Sequence, residues 1–381
     1  MFSELKQAVM HRDMDRAGEC LDSLEQEGEF SLPGIVETLV PVALMECNLP
    51  HRNFHQIKMS LMFRRLSLEG ILSGETEKQA AHLICSELIQ REWADISAGF
   101  IGYMRPEQVT VQDMAEEIER GNAHNAFYYA AGCVNNMADP MIQALLMHGA
   151  HAVPETLGHS FSCFLQVMED IVRTGHSAQA SALLSYVMYL CRFSYPDDLL
   201  QAEEEAEKIP ADFSRFIMYC ASGDGIVNLH HTITLYLFMQ WEKAEFNEET
   251  VVPYGILADW AGEKAFDTDR KDRVSPPAPP RIDPADTYTE FEQEFSFDDL
   301  ERSMLYLFAN LEAQPDKAAD FIFRLYTSRY GSLSGWDPHY ITGLYSALGL
   351  FLNHETGDPA APRMALDQAV RYFASADWSA D

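Results

Sequence analysis

The chain has 381 residues, of which 47% are hydrophobic and 11% aromatic, enough to bury a sizeable core as one large domain or two closely packed lobes. Its 59 acidic and 27 basic residues give a formal charge of −32, a field that repels phosphate backbones and anionic bilayers and so disfavours nucleic acid and membrane partners. No apolar run is long enough to span a bilayer, the first residues (MFSELKQAVMHRD) form a charged amphipathic stretch, and the seven cysteines include no CxxC pair, so a cytoplasmic chain with reduced, buried thiols is expected.

Taken in order, the segments repeat apolar residues at the helical period of about 3.6. Residues 13–28 read as a polar-faced helix closed by Gly28, and residues 31–47 as a helix opened by Ser31 and Pro33. Residues 77–96 form another, and Thr110 with Asp113 makes a capping box at the head of residues 110–121. Residues 177–193 and 296–313 belong to the same class. Strand-like alternation bounded by hairpin turns does not occur. The expected class is all-α, a large helical bundle or array with internally duplicated helical units.

One stretch interrupts this pattern. Residues 267–287 (DTDRKDRVSPPAPPRIDPADT) carry five prolines and many charges and read as an irregular connector. It divides a helical N-terminal portion, residues 1–266, from a C-terminal helical segment, residues 288–381, which is expected to pack on the same core.

Two internal matches involve histidine. Pro50 is followed five residues later by His55, and Pro154 by His159; each histidine opens an amphipathic stretch that ends at Gly70 or Gly175, and the pair lie 104 residues apart. The sequences LHHTITLYLF and PHYITGLYSA place His231 and His339 before x-Ile-Thr, 108 residues apart. Each histidine stands near a helix start, with Asn228 and the Asp337-Pro338 pair as caps, where the positive end of the helix dipole disfavours imidazolium. Neutral imidazole is the form that ligates iron, zinc or copper, so four converging first turns would offer His55, His159, His231 and His339 to one metal inside the bundle. Taken singly, each reads as a helix-start histidine satisfied by hydrogen bonds; the pairing is what points to a site.

Further candidates surround these four. His51 shares a face with His55, Lys58 follows one turn later, and Glu155 stands where His51 does in the second copy. These three, with His230 and His124, are candidates for an additional ligand or a supporting partner. Thr342, Gly343, Cys163 and Thr234 are small or polar residues that would leave space for a substrate. His11, His82, His148, His151, His176 and His354 read as surface or structural. GDGIVN at residues 223–228 lacks the third glycine of a dinucleotide fingerprint and any preceding strand, so no NAD or flavin motif is present.

The order of an early histidine helix, a GHSF helix, then HTIT, then DPHYITGLYSAL resembles the questin oxidase-like proteins over roughly residues 30–355. Those are α-helical proteins that include fungal oxygenases acting on anthraquinone-type polyketides. The resemblance implies oxygen chemistry on an aromatic or quinone-like small molecule, with iron or another divalent transition metal held by histidines and, in ring-cleaving members, a modified lysine. Carried over, the ligands are His55, His159, His231 and His339. The chain departs from the family in having Thr342, not lysine, three residues after His339, so no lysine-derived ligand is expected there.

Three readings follow. A metal-dependent oxygenase requires the four histidines to converge. A non-enzymatic helical-repeat scaffold, binding a protein partner or another copy of the chain, requires them to be scattered. A haem protein would use two of them as axial ligands.

Overall fold

In the computed structural model of the chain, the described residues are 1–47, 54–93, 109–134, 138–156, 158–195, 226–245, 277, 279, 281–333, 335–353 and 360–376. They form α-helices and no sheet, so the all-α expectation holds. The helices are α1 (Phe2–Met10), α2 (Met14–Gln26), α3 (Leu32–Cys47), α4 (His55–Leu68), α5 (Gly74–Gln90), α6 (Val111–Glu119), α7 (Ala123–Cys133), α8 (Ala138–His151) and α9 (Val153–Thr156). Next come α10 (His159–Val167), α11 (Gln179–Leu190), α12 (Ile226–Glu245), α13 (Tyr288–Glu294), α14 (Leu300–Ala313), α15 (Pro315–Ser328), α16 (His339–Asn353) and α17 (Ala360–Ala374). None is long and apolar enough to cross a membrane. His51, His354, Pro50, residues 223–225 and most of the connector fall outside the described residues.

Local signals act where the sequence puts them. Asp13 accepts a hydrogen bond from the Arg16 N–H at 2.9 Å and starts α2, while Thr110 and Asp113 form the expected capping box on α6. Gly28, Gly70, Gly121 and Gly175 follow helix ends with positive φ, where a side chain would be strained. Residues 281–287 carry no helix, and the connector's end is tied to α14 by an Ala285 N–H bond to Asn310 Oδ1 at 2.8 Å.

Four helices matter most for the site. His55 meets His159, Lys58 meets Ser162 and Arg65 meets Asp170, so α4 and α10 run side by side in the same direction. Leu229 meets Gly343 and Tyr236 meets Gly349, so α12 and α16 also run parallel. His55 near His339 and Arg65 near Tyr345 align α4 with α16 in the same sense. The N-terminal ends of α4, α10, α12 and α16 therefore gather at one place. The correspondence between α4 and α10 is limited: α4 stays regular to Leu68, whereas α10 passes into a π-helical turn at Met168–Val172.

Such close approach depends on missing side chains. A Cβ at Gly343 would lie 2.6 Å from Leu229, and one at Gly349 would overlap the Tyr236 ring. Gly158, immediately before His159, has φ of 89° and lies against the Thr234 side chain so tightly that no Cβ fits. Its replacement by alanine therefore combines left-handed strain of about 1–2 kcal/mol with overpacking of about 1–3 kcal/mol. Gly175 has φ of 65° but open space around it, so alanine there incurs the strain alone. Urea titrations should show Gly158→Ala losing about twice the stability that Gly175→Ala loses; equal losses would mean that α10 and α12 are not held at this distance.

Candidate metal centre

His55, His159 and His339 are each the first residue of their helix, and His230 is the fifth residue of α12. Each offers one ring nitrogen, and these four atoms all lie within 4.8 Å of one another. Three of the histidines are buried and His55 is partly exposed. His55 Nε2 is 3.0 Å from His159 Nε2, and His230 Nε2 stands against His339 Nε2. Ring centroids range from 3.7 Å (His159–His230) to 6.2 Å (His55–His230). Metal–nitrogen bonds of about 2.1 Å set at right angles put two donor atoms about 3.0 Å apart. The four-histidine cluster is compatible with a metal ion.

Hydrogen bonds behind the rings favour that use. His159 Nδ1 donates to the Thr156 carbonyl at 2.7 Å, and His339 Nδ1 donates to Asp337 Oδ1 at 2.5 Å. With the proton on Nδ1, each Nε2 presents a lone pair toward the cluster. Asp337 also accepts the His339 backbone N–H at 3.0 Å and the Tyr372 hydroxyl at 2.5 Å. Burial opposes the charge of Asp337, but these bonds outweigh it and hold the carboxyl below its usual range.

The surroundings keep three of the rings neutral. Burial, aided by the neighbouring histidines, holds His55 and His230 well below the ordinary imidazole value. Burial and the Lys58 charge bring His159 down to about 3. One turn below His55, the buried Lys58 Nζ donates to Ser162 Oγ at 2.9 Å, and burial lowers its pKa. Farther down, Arg65 and Gln166 both bond Asp170, which ties α4 to α10 beneath the cluster.

The structure corrects one expected ligand. His231 is buried but lies outside the cluster, and His230 takes its place. Successive helical residues point about 100° apart, and the stripe of α12 that faces Gly158 and His159 carries His230 and Thr234. Asn228 does not cap this helix, which already begins at Ile226. Residues 229–237 are buried all round, so the sequence offers no amphipathic stripe from which to choose between adjacent histidines.

Other candidates also part from the site. Glu155 is exposed and accepts from the Ser194 N–H at 3.4 Å, and His124 is exposed on α7. His148 and His176 bond backbone groups, as structural histidines do. The expected substrate space is filled: Thr342, Cys163 and Thr234 are buried, Gly343 is pressed on Leu229, and Thr234 on Gly158. Burial also pushes the Cys163 thiol up, away from the thiolate form a metal would need. Sequence reading gave Asp337 only a capping role; its position two residues before His339 was the available signal for the carboxylate behind that ring.

Two outcomes follow. Asp337→Asn leaves the ring of His339 less firmly oriented and should weaken metal binding by about 10–100-fold, measured by competition with a chromophoric chelator; an unchanged affinity would detach Asp337 from the site. In chelator-treated protein the folded pKa values of His55, His159 and His230 lie below the unfolded value of about 6.5. The unfolded chain thus binds more protons as pH falls below about 6.5, so this contribution to stability is constant above that pH and is lost progressively toward about pH 3. Thermal melts between about pH 8 and pH 4 should show the decline, and His159→Gln should reduce its slope.

Searches of family models, curated proteins and solved structures return no match to this chain, which leaves the geometry of the histidine cluster to carry the functional reading.

Proposed function

We propose that the chain is a metal-dependent oxidoreductase of the oxygenase or oxidase type, acting on an aromatic or quinone-like small molecule with iron as its metal. The observation that carries this reading is the convergence of His55, His159, His230 and His339 from four helices onto one buried point. A scaffold built from stacked helices has no use for such convergence, since it needs its histidines neither adjacent nor neutral. Imidazole donors suit iron, zinc, copper or nickel, and the resemblance to questin oxidase-like proteins favours iron and an aromatic substrate.

Four neutral imidazoles leave a divalent cation its full positive charge, apart from the carboxylate of Asp337 behind His339. Bound iron supplies the capacity to engage molecular oxygen and exchange electrons with it. The protein's own contribution is positional. Thr156 and Asp337 fix two tautomers, the helix ends bury three of the four rings, and the Lys58 ammonium one turn below favours developing negative charge at the centre.

Elemental analysis of untagged protein tests the reading. About one iron per chain is expected, before or after anaerobic loading. His230→Ala and His159→Ala should each remove most of the metal, while His231→Ala and His176→Ala should retain it. Loss from His231→Ala with retention in His230→Ala would overturn the assignment. A stoichiometric metal would then justify screening hydroxylated aromatics for oxygen consumption.

A further inference from the structure

The hydrogen bonds behind His339 do not stop at Asp337. Asp337 Oδ1 accepts from His339 Nδ1 and Oδ2 accepts from the Tyr372 hydroxyl, each at 2.5 Å. From Tyr372 a line of aromatic rings leads away from the cluster. Ring centroids are 5.4 Å apart from Tyr372 to Tyr340, 5.3 Å from Tyr340 to Trp336 and 5.2 Å from Trp336 to Tyr330. These are the spacings of packed aromatic pairs. Trp336 and Tyr330 are partly exposed and line a cavity of about 400 Å³ beside the end of α5. The line therefore runs from the carboxylate behind a cluster histidine to the protein surface.

The hydroxyls at the two ends have what an oxidised phenol needs. A phenol that loses an electron becomes a strong acid, so the electron leaves readily only where an acceptor takes the proton. Tyr372 donates to Asp337 at the inner end, and Tyr330 donates to Glu87 Oε1 at 2.9 Å at the outer end. Burial, together with the Asp337 charge, pushes the Tyr372 phenol up, and burial pushes Tyr330 up to about 12. Both therefore keep their protons at neutral pH until an electron is drawn from them. Between them, the Trp336 indole can give an electron without giving a proton, and the Tyr340 ring bridges Tyr372 to Trp336. A branch also leads from Tyr340 to Phe373 at 5.1 Å and on to Tyr326 at 3.8 Å. That branch is a dead end, because the buried Tyr326 hydroxyl meets no acceptor among the described residues.

We propose that Tyr372, Tyr340, Trp336 and Tyr330 form a relay that carries single electrons from the surface to the histidine centre and discharges it when it is oxidised with no substrate in place. The relay rests on the metal reading for its oxidant, which is the iron-loaded centre after treatment with hydrogen peroxide. An electron leaves Tyr372 for the oxidised centre, and the phenolic proton moves to Asp337, leaving a neutral radical. Trp336 then reduces Tyr372 across the Tyr340 ring, and the proton returns from Asp337. Tyr330 refills Trp336 and passes its own proton to Glu87. The net change is one electron gained by the centre, with one electron and one proton lost from Tyr330. A one-electron donor such as ascorbate restores Tyr330 as Glu87 returns the proton.

Iron-loaded protein mixed with hydrogen peroxide and a nitroso spin trap tests the relay, the trapped residues being located by peptide mass spectrometry. The wild type should carry the adduct on Tyr330. Trp336→Phe keeps a ring that cannot be oxidised, so it should remove the Tyr330 adduct and leave one on Tyr372. Tyr372→Phe should remove both, whereas Tyr340→Phe keeps the bridging ring and should keep the Tyr330 adduct, all with the metal content unchanged. Chelator-treated protein tests the same path without a metal. The described cysteines are buried, and nothing lies within 4 Å of a Cβ at Gly331. A ruthenium polypyridyl photo-oxidant can therefore be attached at Gly331→Cys in a Cys220→Ser background, with pentaamminecobalt(III) as terminal acceptor. Illumination should place an adduct on Tyr372, and Trp336→Phe should abolish it. A Tyr330 adduct undiminished by Trp336→Phe, or no Tyr372 adduct on illumination, would overturn the proposal. A failed metal reading would look different, with no bound iron, no adduct from peroxide and the light-driven transfer intact.

Discussion

Four ring nitrogens lie within 4.8 Å of one another, and on His159 and His339 the proton points away from the centre, so the tautomers of His55 and His230 decide the balance. With their protons on Nε2 these two rings donate across the cluster; with their protons on Nδ1, four lone pairs face one another and call for a cation, because burial keeps His55, His159 and His230 from taking up protons instead. The remaining structure holds the four rings at this distance. Gly158, Gly343 and Gly349 let backbones approach where any side chain would force them apart, while the Lys58–Ser162 and Arg65–Asp170 bonds fasten α4 to α10 along their length. Pre-organisation of this kind is what a tight metal site requires, because little rearrangement is left when the ion arrives.

The electrostatic setting acts at two ranges. A formal charge of −32 draws cations toward the molecule as a whole. Close to the cluster the sign reverses, since Lys58 and Arg91 both act on His55 and three helices begin at their histidines. A centre with neutral ligands and positive neighbours makes a bound ion more strongly electron-withdrawing than carboxylate ligands would. In the proposed oxygen chemistry, such an ion would favour an anionic oxygen species.

Much of this was legible in the sequence, for stated reasons. Helical periodicity and signals such as Gly28, Ser31 and the Thr110–Asp113 pair act locally, so α2, α3 and α6 appear close to where their residues place them. His55, His159 and His339 could be singled out because each begins a helix after an identifiable break. His230 could not be distinguished from His231, since the match of His-x-Ile-Thr favoured the wrong neighbour and residues 229–237 are buried on every face. The substrate space was misplaced for a related reason: small residues were read as vacancy, whereas Gly343 and Thr234 are small because another helix fills the space beside them. Spacing along a chain reports which residues share a face but not what lies opposite.

The parallel gathering of α4, α10, α12 and α16 bears on how the protein reaches its native state. The four histidines span residues 55 to 339, and every pair is separated by a long excursion of chain. Such non-local contacts have high contact order, so the cluster closes late, after most loop-closure entropy has been lost. Capture of a metal there would then belong to the last stage of assembly and would report on the whole fold at once. By mass action a tightly held ion would favour the completed chain over every partly folded form, so occupancy of the centre would act as a form of quality control.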